Sequence, residues 1–272
     1  MPNDIVLSMR NISKSFPGVR ALHNVDFTLY KGEIHALMGE NGAGKSTLIK
    51  VLTGVHPKDS GQITIGGNPK EVSIKSPQDA QNSGISTVYQ EITLCPNLTV
   101  AENMYIGRGN YKFVHWSKMR EQTTELLEKL SIPARATQQL ATCSLAVQQM
   151  VAIARAVDMD CKVLILDEPT SSLDEREVEK LFSLMRELKS RGVGIIFITH
   201  FLEQVYEVCD RITVLRNGEL VGAYDVKDLP RVQLISKMMG KELDDISHMH
   251  NTGTRVERAG SHHAEACTHR VP

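Results

Sequence analysis

The segment Gly39-Glu40-Asn41-Gly42-Ala43-Gly44-Lys45-Ser46-Thr47 constrains this chain more than any other stretch, because it fits the pattern G-x-x-x-x-G-K-[ST]. The apolar pattern of Glu33 to Met38 precedes it and is typical of a strand, whereas Leu48 to Leu52 follows it and is typical of a helix. Glycine has no Cβ, so this backbone can curl tightly and direct successive N–H groups towards one anion. A strand, a glycine-rich turn and a helix in this order predict a loop that binds a polyphosphate at a helix N-terminus.

Two side chains of this segment have expected chemical roles. Lys45 is expected to reach the outer phosphates of a nucleotide, and the Ser46 hydroxyl is expected to ligate Mg²⁺. A glycine-rich turn with a chance lysine is the alternative, and the strand and helix patterns on either side disfavour it.

Composition limits the class of protein. The chain has 272 residues, 41% hydrophobic and 23% charged, which is enough for one large α/β domain with a sizeable core. Its net charge of −1 predicts no nucleic-acid partner, and no apolar run approaches membrane-spanning length. The start of the chain lacks a signal-peptide pattern. Scattered cysteines without a C-x-x-C pair predict free thiols in a reducing cytoplasm, at Cys95, Cys143, Cys161, Cys209 and Cys267.

Two further apolar runs predict strands that end in polar residues at one edge of a sheet. The run Val163 to Glu168 predicts a strand buried on both faces that ends in two acids, and ligands of open α/β sheets bind at such strand ends. Beside a phosphate-binding loop, Asp167 suits Mg²⁺ and Glu168 suits polarising an attacking water. A solvated pair of acids is the alternative. The strand Val193 to Thr199 brings His200 to the same edge, where a contact with a γ-phosphate is expected, although a lone histidine is more often structural.

Other patterns complete the expected organisation. Apolar and polar residues alternate from Ile5 to Phe16 and from Leu22 to Tyr30, which predicts a small antiparallel β layer. Phe16 could stack on a base or simply pack, and the spacing alone leaves both open. Gln90 follows the predicted strand Ile85 to Tyr89 and is weak evidence by itself. Shorter patterns predict helices at Pro77 to Asn82, around Val178 to Leu188 and at Pro230 to Met239, and a hairpin at Asn217-Gly218.

Two segments differ from the α/β pattern. Residues 91–160 have helical apolar stripes and are interpreted as a helical insertion within one core. The polar, His-rich residues 246–272 are expected to be disordered. Their potential metal ligands have no strand or helix pattern to hold them, so no metal site is expected at His262, His263, Cys267 and His269.

Taken together, these residues resemble the ATP-binding subunit of ABC transporters over residues 1–245. Within that resemblance the matching positions are the Walker A loop at Gly39–Thr47, the Q-loop at Gln90, the signature serine at Ser144, the Walker B strand at Val163–Glu168, the D-loop at Ser171–Asp174, the switch histidine at His200 and the A-loop aromatic at Phe16. The resemblance implies an α/β P-loop NTPase of the ABC ATPase fold, with a RecA-like core, an antiparallel β layer and a helical subdomain at about 91–160.

The resemblance also implies what these positions bind. ATP would be bound by Gly39–Thr47 together with Phe16, Gln90, Ser144 and Asp174. Mg²⁺ would be bound by Ser46, Gln90 and Asp167, and catalysis would depend on Glu168 and His200.

Several sequence segments resemble, more narrowly, the ribose, xylose and galactose class of bacterial sugar importers, and within this class the galactofuranose importer is nearest. These segments are Ser13–Val19, Tyr89–Glu91, Asn97–Asn103 and Gln148–Ala156. An ATPase half does not touch the sugar, so the substrate is implied only by association.

Two departures from the family pattern stand out. In place of Leu-Ser-Gly-Gly-Gln the chain has Cys143-Ser144-Leu145-Ala146-Val147, and we expect Leu145 and Ala146 to add bulk where the family has glycines. This sugar class also resembles two fused ATPase halves, of which the chain matches the first. We therefore expect a truncated or frame-shifted product.

The implied function is ATP hydrolysis that powers sugar import. Its partners would be two membrane permease subunits, a second ATPase half or a second copy of the chain and, indirectly, a periplasmic sugar-binding protein. The resemblance places the chain itself at the cytoplasmic face of the bacterial inner membrane, as a peripheral protein. Two other readings remain: a soluble ABC-type ATPase acting on ribosomes or DNA, and a nucleotide-binding fragment without a working partner. The first of these would be expected to show a basic arm or a coiled-coil insertion, and neither is evident in the sequence.

Overall fold

Two β-sheets and the helices around them form the framework, seen in a computed structural model that describes residues 4–67, 70–89, 94–107 and 115–240. The predictions for Gln90, Cys267 and the segment 246–272 lie outside the described residues.

The strands are β1 (Ile5–Phe16), β2 (Val19–Tyr30), β3 (Ile34–Met38), β4 (Ser60–Ile65), β5 (Ile85–Val88), β6 (Val163–Asp167), β7 (Gly194–Ile198), β8 (Arg211–Arg216) and β9 (Glu219–Asp225). The α-helices are α1 (Lys45–Leu52), α2 (Pro77–Asn82), α3 (Val100–Tyr105), α4 (Trp116–Lys129), α5 (Leu145–Val157), α6 (Glu175–Ser190), α7 (Leu202–Val208) and α8 (Arg231–Met239).

The smaller sheet is antiparallel, with strand order β2-β1-β4, which confirms the predicted antiparallel layer. The larger sheet has the order β5-β6-β7-β3-β8-β9, and its first five strands are parallel. The last strand, β9, runs antiparallel to β8 across the predicted hairpin, where Asn217 and Gly218 have φ angles of 51° and 78°. Positive φ at both central residues suits a tight two-residue turn.

The parallel sheet is buried on both faces, as its apolar runs predict. Val163 and Ile165 of β6 pack in one cluster with α1 and the antiparallel sheet. Leu164 and Leu166, which alternate with them, pack in another cluster with α5 and α6. Because successive side chains of a strand point to opposite faces, an apolar run without alternation is needed to fill both clusters.

The topology brings three strand ends to one edge of the sheet. β3 pairs with β7, and β7 pairs with β6, all in parallel. The residues that follow these strands are Gly39, Glu168 and Thr199 with His200. The phosphate-loop segment, the two acids and the histidine therefore lie at the carboxyl ends of neighbouring strands.

Strand β2 and helix α7 differ from the sequence-based expectation. β2 begins at Val19 rather than Leu22, because the turn at Pro17-Gly18 is so short that Phe16 pairs directly with Val19. Helix α7 was not predicted: it has seven residues and buries only Val205 and Val208 fully, so its apolar stripe is too short to stand out.

The helices between β5 and β6 pack against one another and against α6. Thr99 caps α3 through a capping box with Glu102, and Val100, Met104, Leu127 and Met150 lie in one buried cluster. No helix of the described residues is both long and apolar enough to cross a bilayer.

Candidate functional site: the loop before α1 and the acids after β6

The loop that joins β3 to α1 needs glycine at both of its ends. Gly39 has φ 153°, and a Cβ there would lie 2.4 Å from the Leu215 carbonyl oxygen. Gly44 has φ 105°, and a Cβ there would lie 2.9 Å from Leu22 Cδ2 and 3.0 Å from the Ala21 carbonyl oxygen. A side chain at either position would therefore be strained in its backbone and would clash with its neighbours. The two glycines of the pattern G-x-x-x-x-G-K-[ST] are therefore required by the backbone conformation and the close packing at these positions.

Free backbone donors line this loop. Ala43 N–H donates to the Glu40 carbonyl at 3.1 Å, which closes the turn. The N–H groups of Gly42, Gly44 and Lys45 make no hydrogen bond to another described residue, and Gly44 caps α1 without a side chain. Unpaired N–H groups at a helix N-terminus, together with the helix dipole, form a binding site for an anion.

Lys45 supplies the cation of the site. Its ammonium Nζ donates to the carbonyl oxygens of Gly39 at 2.6 Å and Glu40 at 3.0 Å. Burial lowers the pKa of Lys45, while the nearby carboxylates of Glu168 and Asp167 act to raise it. Two neutral carbonyls compensate a half-buried ammonium only in part, so an anionic ligand would be a stronger partner.

The two acids after β6 have different environments. Asp167 is half-buried, and burial, followed by the charge of Glu168, raises the pKa of its carboxyl group, with Lys45 opposing. Glu168 has φ 47°, and its N–H donates to the Ile198 carbonyl at 2.9 Å. The left-handed conformation is unfavourable for a non-glycine residue and persists where the surroundings hold it. The sequence gives no signal for it.

The histidine that follows β7 lies against one of these acids. His200 Nδ1 is 3.3 Å from Glu168 Oε1, and the His200 ring packs on Phe201 with centroids 4.0 Å apart. The side chain of His200 is 60% exposed, so the imidazole faces solvent beside the predicted base. Lys45, Asp167, Glu168 and His200 are thus brought together from three strand ends.

The donor set near Asp167 fits Mg²⁺. The exposed Ser46 hydroxyl and the half-buried Asp167 carboxylate are hard oxygen ligands, and a cation would offset the cost of ionising Asp167. The described residues contain no group of three or more His, Cys, Asp or Glu side chains that could hold a metal. Mg²⁺ is typically bound through one or two carboxylates plus substrate phosphates, so this arrangement is compatible with it.

The other predicted residues lie apart from this cluster. Phe16 is partly exposed, its ring packs edge-on against His56 at 5.1 Å, and the Lys14 ammonium lies 5.5 Å from its centroid. Asp174 caps α6 and accepts from Glu177 N–H at 2.8 Å. Among the described residues, no hydrogen bond or ion pair joins Phe16 or Asp174 to Lys45.

The predicted signature segment opens helix α5. Ser144 is its N-cap, and the Ser144 hydroxyl accepts from Val147 N–H at 3.4 Å. Leu145 is 50% exposed, but Ala146 is only 2% exposed and packs into the core. The expectation that both residues add bulk at the surface is therefore wrong for Ala146, because the first turn of α5 points that side chain inwards. Leu145 does lie at the surface, and its effect on a closed pair stays a prediction.

The sequence is similar to known proteins along most of its length. The family model described as ABC transporter matches residues 22–171. The galactofuranose transporter ATP-binding protein of Escherichia coli (strain K12) is 53% identical over 241 residues, covering 88% of this chain and 48% of that protein. The fructose import ATP-binding protein of Bifidobacterium longum (strain NCC 2705) is 49% identical over 251 residues, covering 91% and 48%. The chain thus spans about half the length of these curated relatives.

Solved structures share the fold. An ATP-binding cassette of an ABC transporter, in its ADP conformation, superposes with a TM-score of 0.76 and 25% sequence identity, covering 87% of this chain and 99% of that one. A nucleotide-free ATP-binding cassette from an ABC transporter superposes with a TM-score of 0.71 and 27% identity, covering 81% and 91%. The predicted α/β fold with an antiparallel layer is therefore confirmed.

Proposed function

Because the chain belongs to the ABC transporter family, we propose that it binds ATP with Mg²⁺ and hydrolyses it as part of a bacterial sugar importer. One observation carries the proposal: the glycine loop and Lys45 lie at the same sheet edge as Asp167, Glu168 and His200. The backbone N–H groups that can bind an anion thus lie close to a cation, to a carboxylate suited to a metal ion and to a base.

ATP binding follows from the loop before α1. The free N–H groups of Gly42, Gly44 and Lys45 receive the phosphates, and the Lys45 ammonium exchanges its carbonyl partners for phosphate oxygens. Phe16 offers a partly exposed ring on which the adenine can stack. Ser46 and Asp167 hold Mg²⁺, which when bound neutralises part of the phosphate charge.

Hydrolysis depends on Glu168 and His200. The Glu168 carboxylate accepts a proton from the attacking water as the water oxygen bonds to the γ-phosphorus. The bond from that phosphorus to the oxygen bridging the β- and γ-phosphates breaks, and ADP leaves with that oxygen. His200, at 3.3 Å from Glu168, orients the carboxylate and can contact the γ-phosphate. Lys45 stabilises the charge that develops on the transferred phosphoryl oxygens.

Transport requires partners that bind the two nucleotide states differently. A second ATPase half, or a second copy of the chain, would close over the nucleotide with its signature serine, the counterpart of Ser144. ATP favours the closed pair and hydrolysis reopens it, so the γ-phosphate shifts a two-state equilibrium. With the chain at the cytoplasmic face of the inner membrane, membrane permease subunits would convert that movement into import of a sugar delivered by a periplasmic binding protein.

The sugar class is supported by the relatives at 53% and 49% identity, whose names specify galactofuranose and fructose. Nothing in an ATP-binding unit contacts the sugar, so we propose the class of small sugars rather than one member of it.

The test has two stages. Calorimetric titration with Mg-ATP should show saturable binding, and affinity-tagged chain should then co-purify sugar permease subunits from detergent-solubilised membranes of its own cell. Absence of ATP binding contradicts the site. ATP binding with permease subunits absent from the purified complex contradicts the transport role but not the nucleotide site.

A further inference from the structure

Two buried threonines converge on one side chain of α7. Thr170 follows Glu168 by two residues and is 3% exposed, and Thr199 directly precedes His200 and is 4% exposed. The Thr170 hydroxyl donates to Gln204 Oε1 at 2.7 Å, and the Thr199 hydroxyl donates to the same oxygen at 3.4 Å. One amide oxygen therefore links the segment that carries the predicted base to the segment that carries the predicted histidine.

The two segments that carry these threonines are held by further hydrogen bonds of their own. The Thr199 hydroxyl accepts from Phe201 N–H at 3.1 Å, which fixes the turn that contains His200. Glu168, with φ 47°, precedes Thr170 in a loop closed by the Ser171 hydroxyl, which donates to the Glu168 carbonyl at 3.2 Å. Unfavourable backbone of this kind persists only when neighbouring contacts determine it.

The direct contact between Glu168 and His200 is too solvated to fix their relative position. The His200 side chain is 60% exposed and the Glu168 side chain 34% exposed, so water competes with this contact and it contributes little. The hydrogen bonds of Gln204 lie behind this pair among buried hydroxyls, where losing a partner is costly.

We propose that Gln204 is a positioning residue that keeps the Glu168 carboxylate and the His200 imidazole in register for hydrolysis. The inference rests on the proposed ATPase function. Gln204 does not touch the reacting atoms; it acts through Thr170 and Thr199, so its removal affects turnover and leaves nucleotide binding by the α1 loop intact.

The test compares three variants. Gln204→Met keeps the length of the side chain but removes the acceptor oxygen, whereas Gln204→Glu keeps an acceptor. Glu203→Met is the matched control on the same helix, because Glu203 is exposed and, among the described residues, pairs only with Arg231 at 3.5 Å. Single-turnover hydrolysis of radiolabelled ATP, with protein in excess, measures even slow rates.

We expect Gln204→Met to lower the hydrolysis rate by about 10-fold or more, within the 10²-fold that a small misplacement of reacting groups can cost. The calorimetric Kd for ATP should stay within about 2-fold, because the phosphate loop is unchanged. Gln204→Glu should restore most of the rate, and Glu203→Met should match the unaltered chain.

A double-mutant cycle tests the route through Thr170. If Gln204 acts through that hydroxyl, Gln204→Met should lower the rate far less in a Thr170→Val background than in the unaltered chain. Amide hydrogen exchange gives a readout that needs no turnover: Gln204→Met should speed exchange around residues 168–171 and 199–201 together, whereas Glu203→Met should change neither.

A Gln204→Met variant with an unchanged rate, or with unchanged exchange in both segments, overturns the proposal. Loss of rate and of ATP affinity together also overturns it, because that pattern indicates general damage to the fold. An unaltered chain that fails to bind ATP instead contradicts the proposed function, and the exchange measurement still decides whether Gln204 links the two segments.

Discussion

Helices α1 and α5 both begin at positions that the family resemblance assigns to phosphate contacts, but their N-termini are built differently. The N-cap of α1 is Gly44, with φ 105° and no side-chain cap, and the N–H groups of Gly44 and Lys45 have no partner among the described residues. The N-cap of α5 is Ser144, whose hydroxyl accepts from Val147 N–H, and the next residue, Leu145, is half-exposed.

The difference shows what each helix can do within one chain. At α1 the unpaired donors and the Lys45 ammonium provide charge and hydrogen bonds for an anion. At α5 the Ser144 hydroxyl already accepts from one of the N–H groups, and the apolar Leu145 side chain lies where the family resemblance would place a phosphate. We therefore propose that one chain holds a nucleotide through α1 alone, and that α5 would offer a poor lid for the nucleotide of a second copy.

Glu168→Gln should have the largest effect and separates binding at α1 from chemistry. The amide keeps the size of the side chain but cannot accept a proton from water, so turnover should fall by roughly 10²–10⁴. ATP affinity should be retained. Single-turnover hydrolysis and calorimetry measure the two quantities, and Glu175→Gln on α6 is the control. A near-normal rate would remove Glu168 from the role of base.

Lys45→Ala removes the cation at α1. Loss of one partner of a desolvated charge contact costs about 2–5 kcal/mol, so the Kd for ATP should rise about 30-fold or more. Lys50→Ala, an exposed lysine of the same helix, is the control and should leave the Kd unchanged. Unchanged ATP binding by Lys45→Ala would break the comparison, because α1 would no longer be the phosphate site.

Asp167→Asn tests the carboxylate opposite α1. Because burial raises the pKa of Asp167 in the folded chain, the free energy of unfolding falls as pH rises from the ordinary carboxyl pKa through the raised pKa. That stability is already lost at neutral pH. The asparagine variant lacks this titrating carboxyl group, so its urea-induced unfolding should show a smaller loss of stability between acidic and neutral pH.

The same variant should also lose the contribution of Mg²⁺ to ATP affinity.

An unchanged pH dependence of unfolding in the Asp167→Asn variant would show that solvent reaches the carboxylate more freely than its burial indicates. Asp26→Asn provides the control for ATP affinity, because Asp26 is exposed on β2 and an asparagine there can still accept from Asn11 N–H.

Ser144→Ala should have the smallest effect and concerns α5. The cap bond to Val147 is long, at 3.4 Å, and exposed. Its removal should cost about 0.5–1 kcal/mol of unfolding free energy, at the low end of measured caps. ATP binding by the isolated chain should not change. A weakened Kd for ATP in this variant would show that α5 contacts the nucleotide within one chain.

Much of the fold could be predicted because apolar periodicity directly reflects burial. The run Val163 to Glu168 has no alternation, and β6 indeed packs on both faces. The phosphate loop could be predicted because Gly39 and Gly44 occupy positions where a Cβ would clash. Both features are local, so the sequence encodes them within a few residues.

Other features depend on contacts between distant segments. The left-handed backbone of Glu168 is held by β7 and the following loop, and its residue type gives no sign of it. Gln204 acquires its two hydrogen bonds only because α7 packs beside two strand ends. Ala146 faces the core because of the register of α5, which the comparison with a glycine motif did not reveal.

The most direct test of the central claim is sedimentation velocity of the Glu168→Gln chain with Mg²⁺ and a fluorescent ATP analogue, followed at the wavelength of the nucleotide. This variant prevents hydrolysis from dispersing a closed pair. We predict that the nucleotide co-sediments with a monomer, since α1 binds it and α5 does not close over it. A nucleotide that sediments free of the protein, or that co-sediments with a stable homodimer, would contradict the account.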